Sequence, residues 1–326
     1  MSAGNLRPAL SLATSQLDEI PSESSVSVVW ALAWPAVALN SFQVVNSLLD
    51  RWFVGHLPAS ALIAQSAAMN VVFLMISLAM TLGTSSTAIV SRAFGAANPP
   101  EYRLASTQAL RVSLLSGFAL AGIAAAIAPW AARLLIPAQE TEAVRLMTGF
   151  VWAFAAGMPA FFVIQSIAGS LRGIGDTKSP MVISGLQIAL HIALNYLLIF
   201  PPRDLGAGIR VPGFDLGLVG AGVALSASAW ISAIVYLVYL PRTPLGAPGG
   251  ITMPSLSWIR RIMRIAAPAA LMAILRVLSL TSLTLIVKGV ANGATAIAAM
   301  GVAFAIEGIM FMPAFGFSVA ASALVG

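Results

Sequence analysis

The chain has 326 residues, 59% of them hydrophobic and only 9% charged, with a net charge of +6 and a mean hydropathy of +0.93. Soluble domains carry about 25% charged residues, so this composition excludes a soluble enzyme or nucleic-acid-binding module and implies an integral membrane protein. Cysteine is absent, which excludes disulfides, thiol catalysis and thiolate metal sites, and two histidines, His56 and His191, are too few for most metal sites.

In chain order, residues 1–25 are polar and carry Arg7, Asp18, Glu19 and Glu23. They have no compact apolar core ending in a cleavage site and read as a short cytoplasmic tail. Eight apolar stretches follow, with cores at 28–49, 61–83, 110–130, 147–168, 181–200, 217–240, 266–287 and 295–317. They are too long for barrel strands and predict an all-α membrane fold. Placing the N-terminus inside assigns Arg7, Arg92, Arg103, Arg111, Arg172, Lys178, Arg242, Arg260, Arg261 and Arg264 to the cytoplasm. Arg51, Arg133, Arg145, Arg203, Arg210 and Lys288 then fall outside. That excess, tight against a span at 260–264, favours the N-in topology.

Between the fourth and fifth spans, "SLRGIGDTKSPM" (170–181) has the look of a nucleotide loop. A P-loop requires Gly, four residues, then Gly-Lys-Ser/Thr after a strand, and both the spacing and the context fail here. Gly173 and Gly175 are instead expected to end one helix, Asp176, Thr177 or Ser179 to cap the next, and Pro180 to sit in its first turn.

An internal repeat organises the rest. "ALAWPAVAL" (31–39) is answered by "RIAAPAALM" (264–272), "SALIAQ" (60–65) by "TAIAAM" (295–300), and "STAIVS" (86–91) by "ASALVG" (321–326). Six spans per unit give two parallel units about an axis normal to the bilayer. The expected organisation is a cytoplasmic tail (1–25), a six-helix bundle (26–240), a cytoplasmic linker (241–258) and the start of a second bundle (259–326). Doubling the repeat predicts a complete protein of roughly 450–470 residues, of which this chain is a fragment.

No HExxH, GxSxG or paired-Asp motif is present to carry enzyme chemistry, so the chain reads as no enzyme. Ionisable groups inside spans are costly and therefore informative. Arg276 and Glu307 lie at similar depths in the seventh and eighth spans and could meet as an ion pair, either structural or part of a transport site. His191 and Asn195 are one turn apart on one face of the fifth span, with Gln187 on the same stripe. Interhelical glue and a wet face both account for such a pair. Asp50, near the outer end of the first span, follows a polar face formed by Gln43, Asn46 and Ser47. By position alone an interfacial Asp is more often solvated than functional.

Four segments taken together, "LLDRWFVGHLPASALIAQS" (48–66), "GSLRGIGDTKSPM" (169–181), "LGLVGAGVALSAS" (216–228) and "AFAIEGIMFMPAFGFSVAASALVG" (303–326), resemble the multidrug and toxic compound extrusion (MATE) family. The resemblance runs in order from about residue 26 to the end. It implies twelve helices in two six-helix bundles, four of them missing here, and export of organic, often cationic compounds in exchange for H⁺ or Na⁺. It further implies a monomer in a plasma membrane (a bacterial inner membrane if prokaryotic), with no cofactor, metal or nucleic-acid partner.

Asp50 matches the family's first-helix Asp, which is linked to cation coupling. "HIALN" matches the fifth-helix pattern NxxLD or NxxLN, placing His191 at the Asn position and Asn195 at the Asp/Asn position. The second carboxylate of some branches is absent, which leaves His191 as the alternative titratable group. Gln43, Asn46, Gln187, Arg276 and Glu307 are the expected chamber residues. The sixth-helix small polar position reads Leu225 beside Ser226, and Arg276 stands where some members carry a seventh-helix Glu. A lipid-linked saccharide flippase of similar architecture, and an inactive fragment or assembly subunit, are the alternatives.

Overall fold

The computed structural model describes residues 41–204, 210–247, 249, 253–304, 306 and 307. The expected tail, the beginning of the first span with Pro35, and residues 308–326 with Pro313 lie outside them. The helices are α1 over 41–55, α2 Ala59–Gly95, α3 Pro99–Leu135, α4 Thr141–Ala155, α5 Met158–Gly173, α6 Lys178–Ile199, α7 Gly217–Tyr239, α8 Leu256–Lys288 and α9 Gly293–Phe304. Between α6 and α7, β1 Arg203–Asp204 pairs antiparallel with β2 Arg210–Val211. Among the described residues five helices are each long and apolar enough to cross a membrane (α2, α3, α6, α7 and α8), and α4 with α5 makes a sixth span. The chain is an all-α, multi-pass membrane protein.

α2 and α3 each run for 37 residues, about 55 Å at 1.5 Å per residue, against a hydrocarbon core of about 30 Å. The apolar cores at 61–83 and 110–130 are therefore the membrane-embedded parts of longer rods. The turn joining the rods is built by sequence. Ala97 adopts a left-handed φ of 50°, the Asn98 side chain accepts from the Glu101 N–H, and Pro99 opens α3 where no intrahelical donor is needed.

The stretch expected as one span at 147–168 is bent by 45° where α4 gives way to α5. Pro159 offers no N–H and its ring opposes the carbonyl four residues back, at Ala155, the last residue of α4. Gly157 permits the break because α7 passes too close for a side chain: an added Cβ would lie 2.7 Å from the Ser226 Cα. The freed carbonyls find donors. The Ser226 hydroxyl donates to Ala153 O, and Trp230 Nε1 donates to Ala156 O at 3.0 Å. Likewise Pro129 frees the carbonyl of Ala125 in α3, and Trp152 Nε1 donates to it at 2.9 Å. In a bilayer core no water would do this.

The hinge between α5 and α6 carries "SLRGIGDTKSPM". Gly175 N–H donates to Arg172 O at 3.1 Å and Asp176 N–H to Leu171 O at 3.0 Å, with Gly175 at φ +86°. This pair of bonds is a Schellman motif, which requires a residue tolerant of the left-handed conformation. Asp176 Oδ1 then accepts from Ser179 N–H at 2.9 Å, so the loop is helix punctuation, with Asp176 as its cap.

α5 lies against α2 and α3, α6 pairs with α7, and α8 packs on α2 and α3. At one end of α3 and α8, Arg261 pairs with Glu101 at 3.0 Å and Arg103 Nε donates to Pro244 O at 2.9 Å. At the other, Lys288 Nζ donates to the last-turn carbonyls of α3, Leu134 O at 2.7 Å and Arg133 O at 3.2 Å. A lysine there also complements the negative helix terminus. One turn before Lys288, Asn70 Nδ2 of α2 donates to the buried Thr284 Oγ1 of α8 at 3.2 Å.

Candidate cation-coupling site

The polar stripe of α6 faces α1. His191 and Asn195 are 3% and 0% exposed, and their i, i+4 spacing stacks them on one face. Opposite them stands Asp50, its side chain 23% exposed. Asn195 Nδ2 donates to Asp50 Oδ1 at 2.6 Å, and His191 Nε2 lies 3.0 Å from the same oxygen. One turn earlier on α1, Asn46 Nδ2 reaches Asp50 Oδ2 at 3.4 Å. Asn195 and His191 stand four and eight residues from the end of α6, which sets the cluster about 6–12 Å inside that end.

Three polar atoms of the cluster are buried without a partner among the described residues: Asn46 Oδ1, His191 Nδ1 and Asn195 Oδ1. Asn195 Nδ2 also lies 3.1 Å from His191 Nε2. With the proton of a neutral His191 on Nε2, an ionised Asp50 accepts from Asn46, His191 and Asn195 together; with it on Nδ1, Nε2 accepts from Asn195 instead. Above the cluster, Phe200 is surrounded by the rings of Phe53, His56 and Tyr196, with the Arg203 guanidinium 3.9 Å from its centroid. The sequence alone does not reveal this aromatic cover, because Phe53 lies on α1, Tyr196 on α6 and Phe200 just beyond it, and each looks like ordinary core.

Beside the site, Arg51 Nη1 donates to Ser66 Oγ of α2 at 3.0 Å. Gly301 of α9 closes over the same pair, since a Cβ there would lie 2.8 Å from Arg51 Nη1 and would overlap Ser66 Oγ.

The other expected residues lie elsewhere. Gln43 is exposed on α1, and Gln187 is half-buried one turn before His191. Arg276 and Glu307 form no ion pair among the described residues. Arg276 is exposed and its guanidinium lies 5.2 Å from the Phe73 ring of α2, while Glu307 is exposed at the last described turn. Equal depth sets height in the membrane but not the direction around each helix, and α8 turns Arg276 onto an aromatic face. Ser226, beside the expected small polar position of the sixth span, belongs to the α4–α5 bend.

A bent span braced by indoles, an antiparallel α6–α7 pair and a half-buried carboxylate between α1 and α6 define a polytopic helix-bundle membrane protein with an internal polar site. Comparison with known proteins places it. The MatE family profile matches residues 35–197, half of the chain, and the chain belongs to the MATE family.

Similar curated proteins include the probable multidrug resistance protein NorM of Thermotoga maritima, 28% identical, with 90% of this chain and 61% of the relative covered. The multidrug resistance protein MdtK of Proteus mirabilis is 23% identical over 91% of this chain and 63% of its own length. The chain thus spans about three fifths of the curated relatives it matches. Among solved structures, an outward-facing multidrug resistance MATE family transporter superposes with a TM-score of 0.73 at 23% identity, covering 90% of this chain and 62% of the other. An inward-facing one gives 0.69 at 22% identity, covering 88% and 64%.

Proposed function

We propose that the chain serves an exporter of organic, often cationic compounds driven by inward H⁺ movement, with Asp50, His191 and Asn195 as the proton site. The observation that carries this reading is the half-buried Asp50 carboxylate held by Asn195 Nδ2 at 2.6 Å and His191 Nε2 at 3.0 Å. Membership of the MATE family, and the efflux names of NorM and MdtK relatives, supply the transport class. Residues 26–240 are read as the first bundle and 259–326 as the beginning of the second. The protein is read as a monomer in the plasma membrane with its N-terminus inside.

The donor set favours H⁺ over Na⁺. A hard cation asks for a shell of oxygen ligands, whereas Asp50 is faced by N–H groups and an imidazole nitrogen. A proton instead reverses one hydrogen bond. Once Asp50 is protonated it becomes a donor, and the Asn195 amide turns to present its unpartnered Oδ1. In that exchange the Asn195 bond becomes a neutral one and the His191 N–H loses its charged acceptor. Hydrogen bonds to a charged group contribute about 1.5–3 kcal/mol and neutral ones about 0.5–1.5 kcal/mol, so the α1–α6 link weakens by about 2–4 kcal/mol. That supplies a large part of the ~5.5 kcal/mol needed to move a two-state equilibrium from 1:99 to 99:1. The same charge, while present, attracts a cationic substrate, and its loss favours release.

The test is efflux of a fluorescent organic cation, ethidium, from proteoliposomes under imposed gradients. A pH gradient alone is expected to drive transport and a Na⁺ gradient alone to leave it at the protein-free rate. Transport driven by Na⁺ and indifferent to pH would reject the proton reading.

A further inference from the structure

At the end of the bundle that bears Arg103 and Arg261, an open groove of about 500 Å³ lies between the start of α6 and the end of α7. Val182, Ile183, Ile234, Val235 and Val238 form its walls, and Lys178 and Arg242 stand at its mouth. Val182 and Val238 are 59% and 58% exposed, so the apolar walls are uncovered among the described residues. Both cations are exposed, and neither has an ion-pair partner among the described residues. The nearby carboxylate is already engaged: Asp176 Oδ1 accepts from Ser179 N–H at 2.9 Å and its Oδ2 accepts from the Tyr239 hydroxyl at 3.4 Å. Tyr239 Oη also lies 2.7 Å from Ser179 Oγ.

We infer that this groove is a binding site for an anionic phospholipid, with the headgroup phosphate between Lys178 and Arg242 and an acyl chain along the valine and isoleucine walls. Two features together select this occupant. Lipid tails cover any apolar helix face without discrimination, but two cations without ion-pair partners, set against the single Asp176 carboxylate, leave net positive charge at the groove that distinguishes anionic from zwitterionic headgroups. Basic pockets between membrane helices on the cytoplasmic side are suited to phosphate headgroups, and the basic residues at this end match the cytoplasmic side of the N-in topology. An organic cation, the substrate class proposed above, would be repelled from the same mouth, so the groove is not a second drug site. It also lies outside the Asp50 cluster, at the opposite end of α6 from Asn195, and stands whether or not the proton reading does.

The experiment is native mass spectrometry of the protein released from nanodiscs holding equal amounts of palmitoyl-oleoyl phosphatidylglycerol and phosphatidylcholine. Each cation near a headgroup is expected to favour the anionic lipid about fivefold, giving about twenty-fivefold enrichment of retained phosphatidylglycerol for the pair. Lys178→Gln with Arg242→Gln is expected to reduce the enrichment to near parity. Val238→Trp, which fills the groove and keeps both charges, is expected to lower phosphatidylglycerol retention as well. Equal retention of the two lipids by the unaltered protein would overturn the inference. So would enrichment that survives the double substitution, or retention untouched by Val238→Trp, which would mark general surface attraction.

Discussion

Asp50→Asn is expected to abolish coupled export while leaving the protein in the membrane. The substitution keeps the size of the side chain and removes the only carboxylate in the described α1–α6 cluster. An amide at position 50 with its oxygen in the Oδ1 place still faces Asn195 and His191, but its NH₂ group then opposes the Asn46 amide; turned over, it opposes the other two. The stability cost is that of one or two misdirected donors, about 1–3 kcal/mol, small enough for the fold to persist. The functional cost is complete, because the proposed exchange runs through the negative charge of Asp50, and the remaining titratable group, His191, is neutral or positive and cannot attract a cation. Resistance of cells to a toxic organic cation is expected to fall to that of cells lacking the protein, with the membrane level unchanged by immunoblot. His191→Asn retains an N–H donor and the Asp50 charge, and is expected to keep measurable efflux. Full resistance in Asp50→Asn cells would remove Asp50 from the mechanism.

The second large effect is structural. Gly169→Val is expected to destabilise the bundle by about 3 kcal/mol or more, the upper range for overpacking. Gly169 and Gly173, four residues apart, lay one face of α5 directly on α2. A Cβ at Gly169 would overlap the carbonyl oxygen of Gly83 and lie 2.9 Å from its carbonyl carbon. Thr87 Oγ1 donates to Gly169 O at 2.9 Å across the same contact. Small residues of this kind let membrane helices approach closely enough for dispersion and weak polar contacts to hold them, and here the obstruction is backbone, which cannot move aside. The apparent melting temperature in detergent is expected to drop by roughly 5–10 °C. Gly122→Ala in α3, where an added Cβ meets nothing within 4 Å, is expected to leave it unchanged or raise it slightly, since glycine costs helices about 0.5–1 kcal/mol. Equal melting of Gly169→Val and the unaltered protein would show that the α2–α5 contact is looser than described.

Much of this was legible in the sequence, and for identifiable reasons. Apolar length reported where helices cross the membrane, and the glycines and Asp176 of "SLRGIGDTKSPM" reported where α5 stops and α6 starts. Length did not reveal that α2 and α3 continue to 37 residues, because their polar ends look like loops once the apolar window has passed. Nor did it reveal the bend at 156–157, since Pro159 within an apolar run is compatible with a straight or a broken span. The donors that stabilise the bend, Ser226 and Trp230, are some 70 residues away in sequence.

The site followed a similar rule. The i, i+4 spacing placed His191 and Asn195 on one face, and resemblance to a family linked them with Asp50. Their meeting at one carboxylate oxygen is a tertiary fact, as is the role of Asn46 on its other oxygen. Arg276 and Glu307 show the limit of depth arithmetic, because depth leaves the direction of a side chain around its helix undetermined.

The claim that Asp50 exchanges a proton for a cationic substrate is tested most directly by counting protons. The purified protein, in weakly buffered detergent solution with a pH indicator, is mixed with ethidium. Net proton release is expected on binding, approaching about one H⁺ per bound cation at a pH where Asp50 is protonated beforehand, and none from Asp50→Asn. Binding without proton release in the unaltered protein, or equal release from Asp50→Asn, would contradict it.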